Sequence, residues 1–285
     1  MMLVPGVLYI LIFHYLPIYG VQIAFRNYSV VKGFWGSPWV GLKYFEKFFH
    51  SPNSWNIIKN TLALSFYQLC AGFPLPVIFA LLLNQANGRR FKALVQNVSY
   101  APHFISVVVL VGIMNVFFSF YGPVNTLIEA TGGTRSLIMG SEGNFRHLYV
   151  WSTVWQNMGW NSIIYIAALA GIDPELHESA MIDGAGKFRR VLHIDLPMLA
   201  PTAVIILIMS VGNVLSIGFE KVFLMQNALN LERAEILSTY IYKKGLQSHD
   251  YSFSTAVGLM NNVVNLILLI SVNGISRRLT GSSLW

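Results

Sequence analysis

The stretch GAGK, residues 184–187, has the residue types and spacing of a phosphate cradle. A P-loop needs G-x-x-x-x-G-K-[ST] after a strand, so that backbone N–H groups surround the phosphates and a hydroxyl holds magnesium. Met181 stands where the first glycine belongs and Phe188 replaces the hydroxyl residue, which excludes nucleotide binding there. No GxGxxG, HExxH or GxSxG pattern occurs elsewhere, so no catalytic residue and no cofactor is assigned to the chain itself. His14 and His103 lack a second ligand at useful spacing, and the single cysteine, Cys70, gives neither a disulfide nor a thiolate zinc site, so no metal is expected. Cys70 reads as a packing residue.

A second set of residues suits recognition. In WSTVWQNMGWNSIIY, residues 151–165, Trp151 and Trp155 are four apart, as are Asn157 and Asn161, giving a helix with an aromatic and an amide stripe. An aromatic plate beside amide donors and acceptors matches a sugar ring, apolar on its C–H face and polar at its hydroxyl rim. Trp155, Gln156, Asn157 and Trp160 are therefore pathway candidates, against packing or an interfacial aromatic belt. Asn213 and Phe219 near the end of one later apolar run, and Asn261 and Asn262 in another, join them, against hydrogen bonding between helices.

The elements that must hold these residues are built for lipid. The 285 residues are 54% hydrophobic and only 11% charged. Apolar runs at residues 3–25, 57–83, 102–120, 148–171, 198–219 and 253–275 each approach the roughly 20 residues needed to cross a bilayer. In hydrocarbon the backbone must satisfy itself, so the expectation is an all-α polytopic protein of six transmembrane helices, kinked near Pro17, Pro74 and Pro76. The first run lacks a basic leader and a small-residue cleavage site, and reads as a retained span. The net charge of +7 is scattered among loops and forms no basic face, which argues against nucleic acid. The density of Arg89, Arg90, Lys92, Lys187, Arg189, Arg190, Arg277 and Arg278 in short loops favours a cytoplasmic location for that side and for both termini. On the other side, residues 26–56, 121–147 and 220–252 read as folded loops, either a docking platform or ordinary connectors.

The polar segment at residues 172–197 lies between two apolar runs. Asp173 is a good N-cap, Pro174 suits the first helical position, and Gly184 with Gly186 ends the helix after about 15 Å. Leu176, Ala180 and Gly184 recur at spacing four, leaving one face with little side chain. KFRRVLH then makes a second turn before Pro197 opens the next span. A short rigid helix held between two spans can pass movement to or from a partner, where a flexible loop would absorb it. A merely solvated connector is the alternative.

Glu178, Ala180, Gly184, Ile194, Leu196 and Pro197 form E-x-A-x3-G-x9-I-x-L-P, which resembles the EAA loop of binding-protein-dependent ABC transporter permeases. The approach DPELHESAMIDGA, which includes Pro174 and Asp183, is also similar to the family form, departing chiefly at Ser179. PGVLYILIFHYLPIYGVQIAF, GFEKVFLMQN, STYIYKKGL and SRRLTGSSLW look like the lipoprotein-linked polysaccharide permeases of Gram-positive bacteria, so the resemblance covers nearly the whole chain.

The resemblance implies a type I ABC importer permease fold over one transmembrane domain, residues 1–285 with a core near 57–275, and a coupling role for residues 172–197. It implies partners: a second homologous permease, two ATPase subunits that bind ATP and Mg, and an extracytoplasmic sugar-binding lipoprotein delivering an oligosaccharide or polysaccharide fragment. It also sets the EAA segment in the cytoplasm and the chain in the cytoplasmic membrane. The competing class is a membrane-embedded enzyme acting on a lipid-linked glycan, which would need an acid, base or metal constellation near one face.

Overall fold

The computed structural model describes residues 3–281 and 283–284; Met1, Met2, Ser282 and Trp285, the last two within SRRLTGSSLW, lie outside the described residues. Among the described residues the chain is helical, with one isolated bridge between Arg26 and Trp39 and no named strand. Two compact units form, Met1–Thr61 with Glu235–Val264 and Leu62–Ala234 with Asn265–Trp285.

The first unit begins with α1, Val4–Phe25. It turns from α-helix to a π turn at Leu11–Tyr15 and to 3-10 geometry from Leu16, where Pro17 removes a donor. Apolar side chains along α1 are exposed, as befits a lipid-facing helix. Arg26 folds the loop that follows by donating from Nη1 to Phe34 O (2.8 Å) and Ser37 O (3.0 Å). Tyr44, Phe48 and Ile57 pack with Leu237, Phe253 and Val257 in this unit's core. The loop at 26–56, and the part of the loop at 220–252 that belongs to this unit, are thus packed, as their composition suggested.

Further along the chain come α2, Ser54–Gln85; α3, Arg89–Phe104; α4, Val107–Phe117; and α5, Glu142–Ala170. Then follow α6, Pro174–Ile182; α7, Lys187–Gly212; α8, Phe219–Met225; and α9, Tyr251–Thr280. The break in α2 falls at Phe73, with Pro74 starting the new helix. Cys70, expected to pack, is exposed on α2. In the second unit Ala80 of α2, Tyr165 and Leu169 of α5 and Leu199 of α7 form a core with Ile172.

Three of the expected spans differ in form. Residues 102–120 do not make one straight helix: α3 and α4 meet at 97°, because Pro102 sits in a 3-10 turn and Ser106 caps a fresh helix by accepting from Val109 N (3.3 Å). Residues 148–170 are helical within the 29-residue α5, which ends one residue before the expected bound, but that helix is not among those apolar enough to cross a membrane. The run at 198–219 begins earlier, at Lys187, and ends earlier, at Gly212. Pro197 therefore lies inside α7. A π turn at Val191–Asp195, closed by Leu196 N donating to Val191 O, carries the helix up to it. Among the described residues, four helices are long and apolar enough to span, or five with α3 and α4 taken as one.

Candidate functional site

The polar segment at 172–197 is a rigid two-part element. At its start Ile172 is buried in the second unit's core, and Asp173 caps α6 by accepting from Glu175 N (3.0 Å). At its end Gly184 takes φ +79°, Ala185 N donates to Ala180 O (2.8 Å) and Gly184 N to Met181 O (3.0 Å). That is a Schellman termination, which favours glycine at the left-handed position. Pro174, Glu178 and Asp183 are exposed, Ala180 is half-buried, and a Cβ added to Gly184 would meet open space. Ile194 packs on the core, while Leu196 and Pro197 are exposed on α7.

The segment also presents apolar side chains that the small-residue pattern did not emphasise: Ile182 is 87% exposed and Phe188 80%. Such residues beside acids and bases, on an element fixed at its root, suit contact with another protein.

A cavity of about 320 Å³ opens between α2, α5 and α7. Ser65, Gln68, Asn161, Tyr165, Ser210 and Asn213 give it amides and hydroxyls, Phe73, Ile164 and Ile206 give it apolar wall, and no lining side chain is charged. Gln68 Oε1 is buried and has no hydrogen-bond partner. A buried acceptor left open costs stability unless something else donates to it.

The pathway candidates divide. Asn213 lines the cavity. Trp155, Gln156, Asn157 and Trp160 do not, because their faces of α5 meet α3 and the α3–α4 break. Gln156 Nε2 donates to Ile105 O (2.7 Å), satisfying a carbonyl freed by the break. Asn157 Oδ1 meets His103 Nδ1 at 2.9 Å, and the His103 ring stacks on Trp160 at 4.4 Å. Trp155 lines a separate apolar groove with Leu94, Val98 and Met158. Phe219 stacks on Phe223 in α8. Asn261 and Asn262 belong to the first unit, one buried with Oδ1 unpartnered, the other exposed. Asn265 bonds Leu215 N and Ser216 Oγ.

Of the polar residues that line the cavity, Asn213 alone was a candidate from the sequence: Ser65, Gln68, Tyr165 and Ser210 were not singled out, and Asn161 was noted only as part of a stripe. The signal for Gln68 was a lone amide in the apolar run SFYQLCAG. Lys221 was missed as well. It is 5% exposed and donates to Thr153 Oγ1 (2.7 Å) and Tyr149 O (3.3 Å), fastening α8 to α5. Burial pulls its ammonium from 10.5 down to about 7. Among the described residues no group of three or more His, Cys, Asp or Glu could hold a metal ion.

The chain thus combines a rigid polar element with a polar cavity among its helices. Residues 56–281 match the family described as binding-protein-dependent transport system inner membrane component. The chain belongs to that family. This permease is 43% identical over 279 residues to protein LplB of Bacillus subtilis (strain 168), with 98% of this chain and 88% of that protein covered. It is 42% identical over 279 residues to the polygalacturonan/rhamnogalacturonan transport system permease protein YteP of the same strain, covering 98% and 87%. It also superposes on a chain of a bacterial alginate ABC transporter, solved in complex with an alginate pentasaccharide-bound periplasmic protein. That match has a TM-score of 0.93 and 37% identity, over 99% of this chain and 95% of that one. The permease is thus a membrane-spanning component of an ABC importer, and these relatives lend no support to the enzymatic alternative.

Proposed function

We propose that this permease passes an oligosaccharide through the cavity between α2, α5 and α7, driven by separate ATPase subunits that grip residues 172–197. The observation that carries the saccharide reading is the buried, unpartnered Gln68 Oε1 in an uncharged wall that also holds Asn161 and Asn213. Sugar hydroxyls donate to such an acceptor and accept from the amides, while Phe73 and Ile164 meet the apolar ring face. The relatives named for polygalacturonan, rhamnogalacturonan and alginate support the same class and extend it to acidic sugars, whose carboxylates the amide N–H groups would meet.

In the assembly we propose, a second homologous permease completes the pore, two ATPase subunits bind ATP and Mg, and an extracytoplasmic lipoprotein delivers the sugar. Residues 1–285 act as one transmembrane domain in the cytoplasmic membrane of a Gram-positive cell, both termini inside. Six spans result when α3 and α4 cross as one bent pair and α5 crosses with its polar face turned inward. ATP has to favour one of two pore states over the other, and Pro174, Glu178, Ala180, Asp183, Gly184, Ile194, Leu196 and Pro197 shape the segment that conveys the difference.

Uptake of labelled oligogalacturonate and of a neutral oligosaccharide by the reconstituted complex tests the reading. ATP-dependent accumulation that Gln68→Leu weakens, with assembly intact, is the expected result. Sugar entry that does not need ATP, or chemical alteration of the glycan, overturns it.

A further inference from the structure

Asp195 is fully buried, and its carboxylate touches two other elements. Oδ2 accepts from Gln85 Nε2 at the end of α2 (2.9 Å), and Oδ1 lies 3.2 Å from His177 Nε2 on α6. Oδ1 is within ion-pair distance of His177 and makes no hydrogen bond, and the His177 side chain is one-fifth exposed. Asp195 is the last residue of the π turn at Val191–Asp195, and Leu199, one turn further on, faces the second unit's core. A carboxylate in such a place is costly to bury unless donors meet it, and removing one donor leaves it exposed to that cost.

We infer that the Gln85–Asp195–His177 contact is a strut that holds α6 to the spans, so that force applied at its free end moves α2 and α7 together. This deepens the coupling role proposed above and rests on it. The geometry is that of a lever. Helix α6 is anchored at its root by buried Ile172 and at mid-length by His177, and it projects exposed Ile182 beyond the second anchor. With only the first anchor, α6 would pivot about residues 172–173 and the push would dissipate. With both, displacement of Ile182 has to carry Asp195 and Gln85, one at the base of each of two cavity-lining helices. Asp195 and His177 are thus positioning residues that never meet sugar or nucleotide.

Two measurements on the assembled importer test this. Hydrogen exchange at residues 180–185 reads the fastening directly: Asp195→Ala and His177→Ala should each speed it about tenfold while the α5 core stays protected. Sugar transported per ATP hydrolysed reads the coupling: each variant should lower that ratio about tenfold, within the usual range of coupling energies. The double variant should be no worse than Asp195→Ala alone, since both changes remove one contact. Asp195→Asn, which still accepts from Gln85 and can donate to a neutral imidazole, should recover most of the ratio.

Unchanged exchange in both alanine variants overturns the strut. Faster exchange with a normal ratio, or additive losses in the double variant, overturns its part in coupling. A wild-type complex that takes up no sugar overturns the transport reading alone, and hydrogen exchange still decides whether the strut exists.

Discussion

Helices α5 and α6 are neighbours in the chain, and they show two ways in which a polar sequence serves a membrane protein. Helix α6 keeps its acids outward and its end free: Glu178 and Asp183 are exposed, and Ile182 stands 87% clear of the protein. Helix α5 turns its amides to other helices, Gln156 to the α3–α4 break and Asn161 to the cavity. The first is shaped for a partner and the second for its own bundle. In α6 the meaning of a residue is therefore set by its position along one element. In α5 it is set by which neighbour the side chain meets.

The largest effect should come from the exposed end of α6. Ile182→Asp puts a charge at the centre of the proposed contact and should cut ATP-driven uptake about 30-fold or more, the scale of an interface hot spot. Membrane insertion and melting of the isolated permease should not change, because the side chain has no packed surroundings. Co-purification of the ATPase with uptake assays checks this, and full uptake would remove α6 from the contact. Within α5, the amides four apart should separate. Asn161→Ala should raise the KM for sugar about fivefold, as for one lost neutral hydrogen bond. Asn157→Ala should leave KM alone and lower the melting temperature. If the two behave alike, the distinction between the cavity face and the α3 face of α5 fails.

These residues also mark how far the sequence could be read. The Asp173 cap and the Gly184 stop lie close together in the chain, and local geometry gives them meaning, while the EAA spacing was legible through its resemblance to a permease family. The aromatic and amide stripes of α5 were legible as stripes, but a period of 3.6 does not say which neighbour each stripe faces. So the stripe put forward Asn157 and not Asn161 as a pathway residue, although His103 meets the first and the cavity is lined by the second. The bend at Ile105 was hidden because Pro102 and Ser106 occur inside a strongly apolar run, where hydropathy outweighs capping signals. Asp195 was masked because it fills a position that the motif leaves unspecified. Its importance comes from Gln85, more than a hundred residues away.

A packing contact sharpens the same contrast with a smaller effect. Gly159 of α5 faces the backbone of Ser99 on α3, so closely that a Cβ would collide with the Ser99 carbonyl. Small residues at helix crossings allow that approach. Gly159→Ala should destabilise the permease by about 1–3 kcal/mol, the cost of overpacking a close contact, and shift Trp160 off His103. Gly184→Ala meets open space and should cost only about 1 kcal/mol, through its left-handed backbone. Melting of both variants in one detergent gives the order, and a larger loss for Gly184 would mean that α3 and α5 are less tightly apposed than their geometry states.

The smallest expected effect concerns pH and the contact by which Lys221 holds α8 to α5. Its native pKa, about 7, lies below the ordinary 10.5 because burial penalises the ammonium. Below pH 7 both folded and unfolded chains carry the proton, and the full penalty weakens the fold. Between about 7 and 10.5 the unfolded chain binds more proton than the native one, so stability rises with pH across that window. Lys221→Met keeps the length of the side chain without the charge and should flatten the rise, melting alike at pH 6.5 and 9 where the wild type gains a few degrees. A slope that survives the substitution would belong to another group. One that is absent from the wild type would mean that Thr153 and Tyr149 stabilise the ammonium as well as water does.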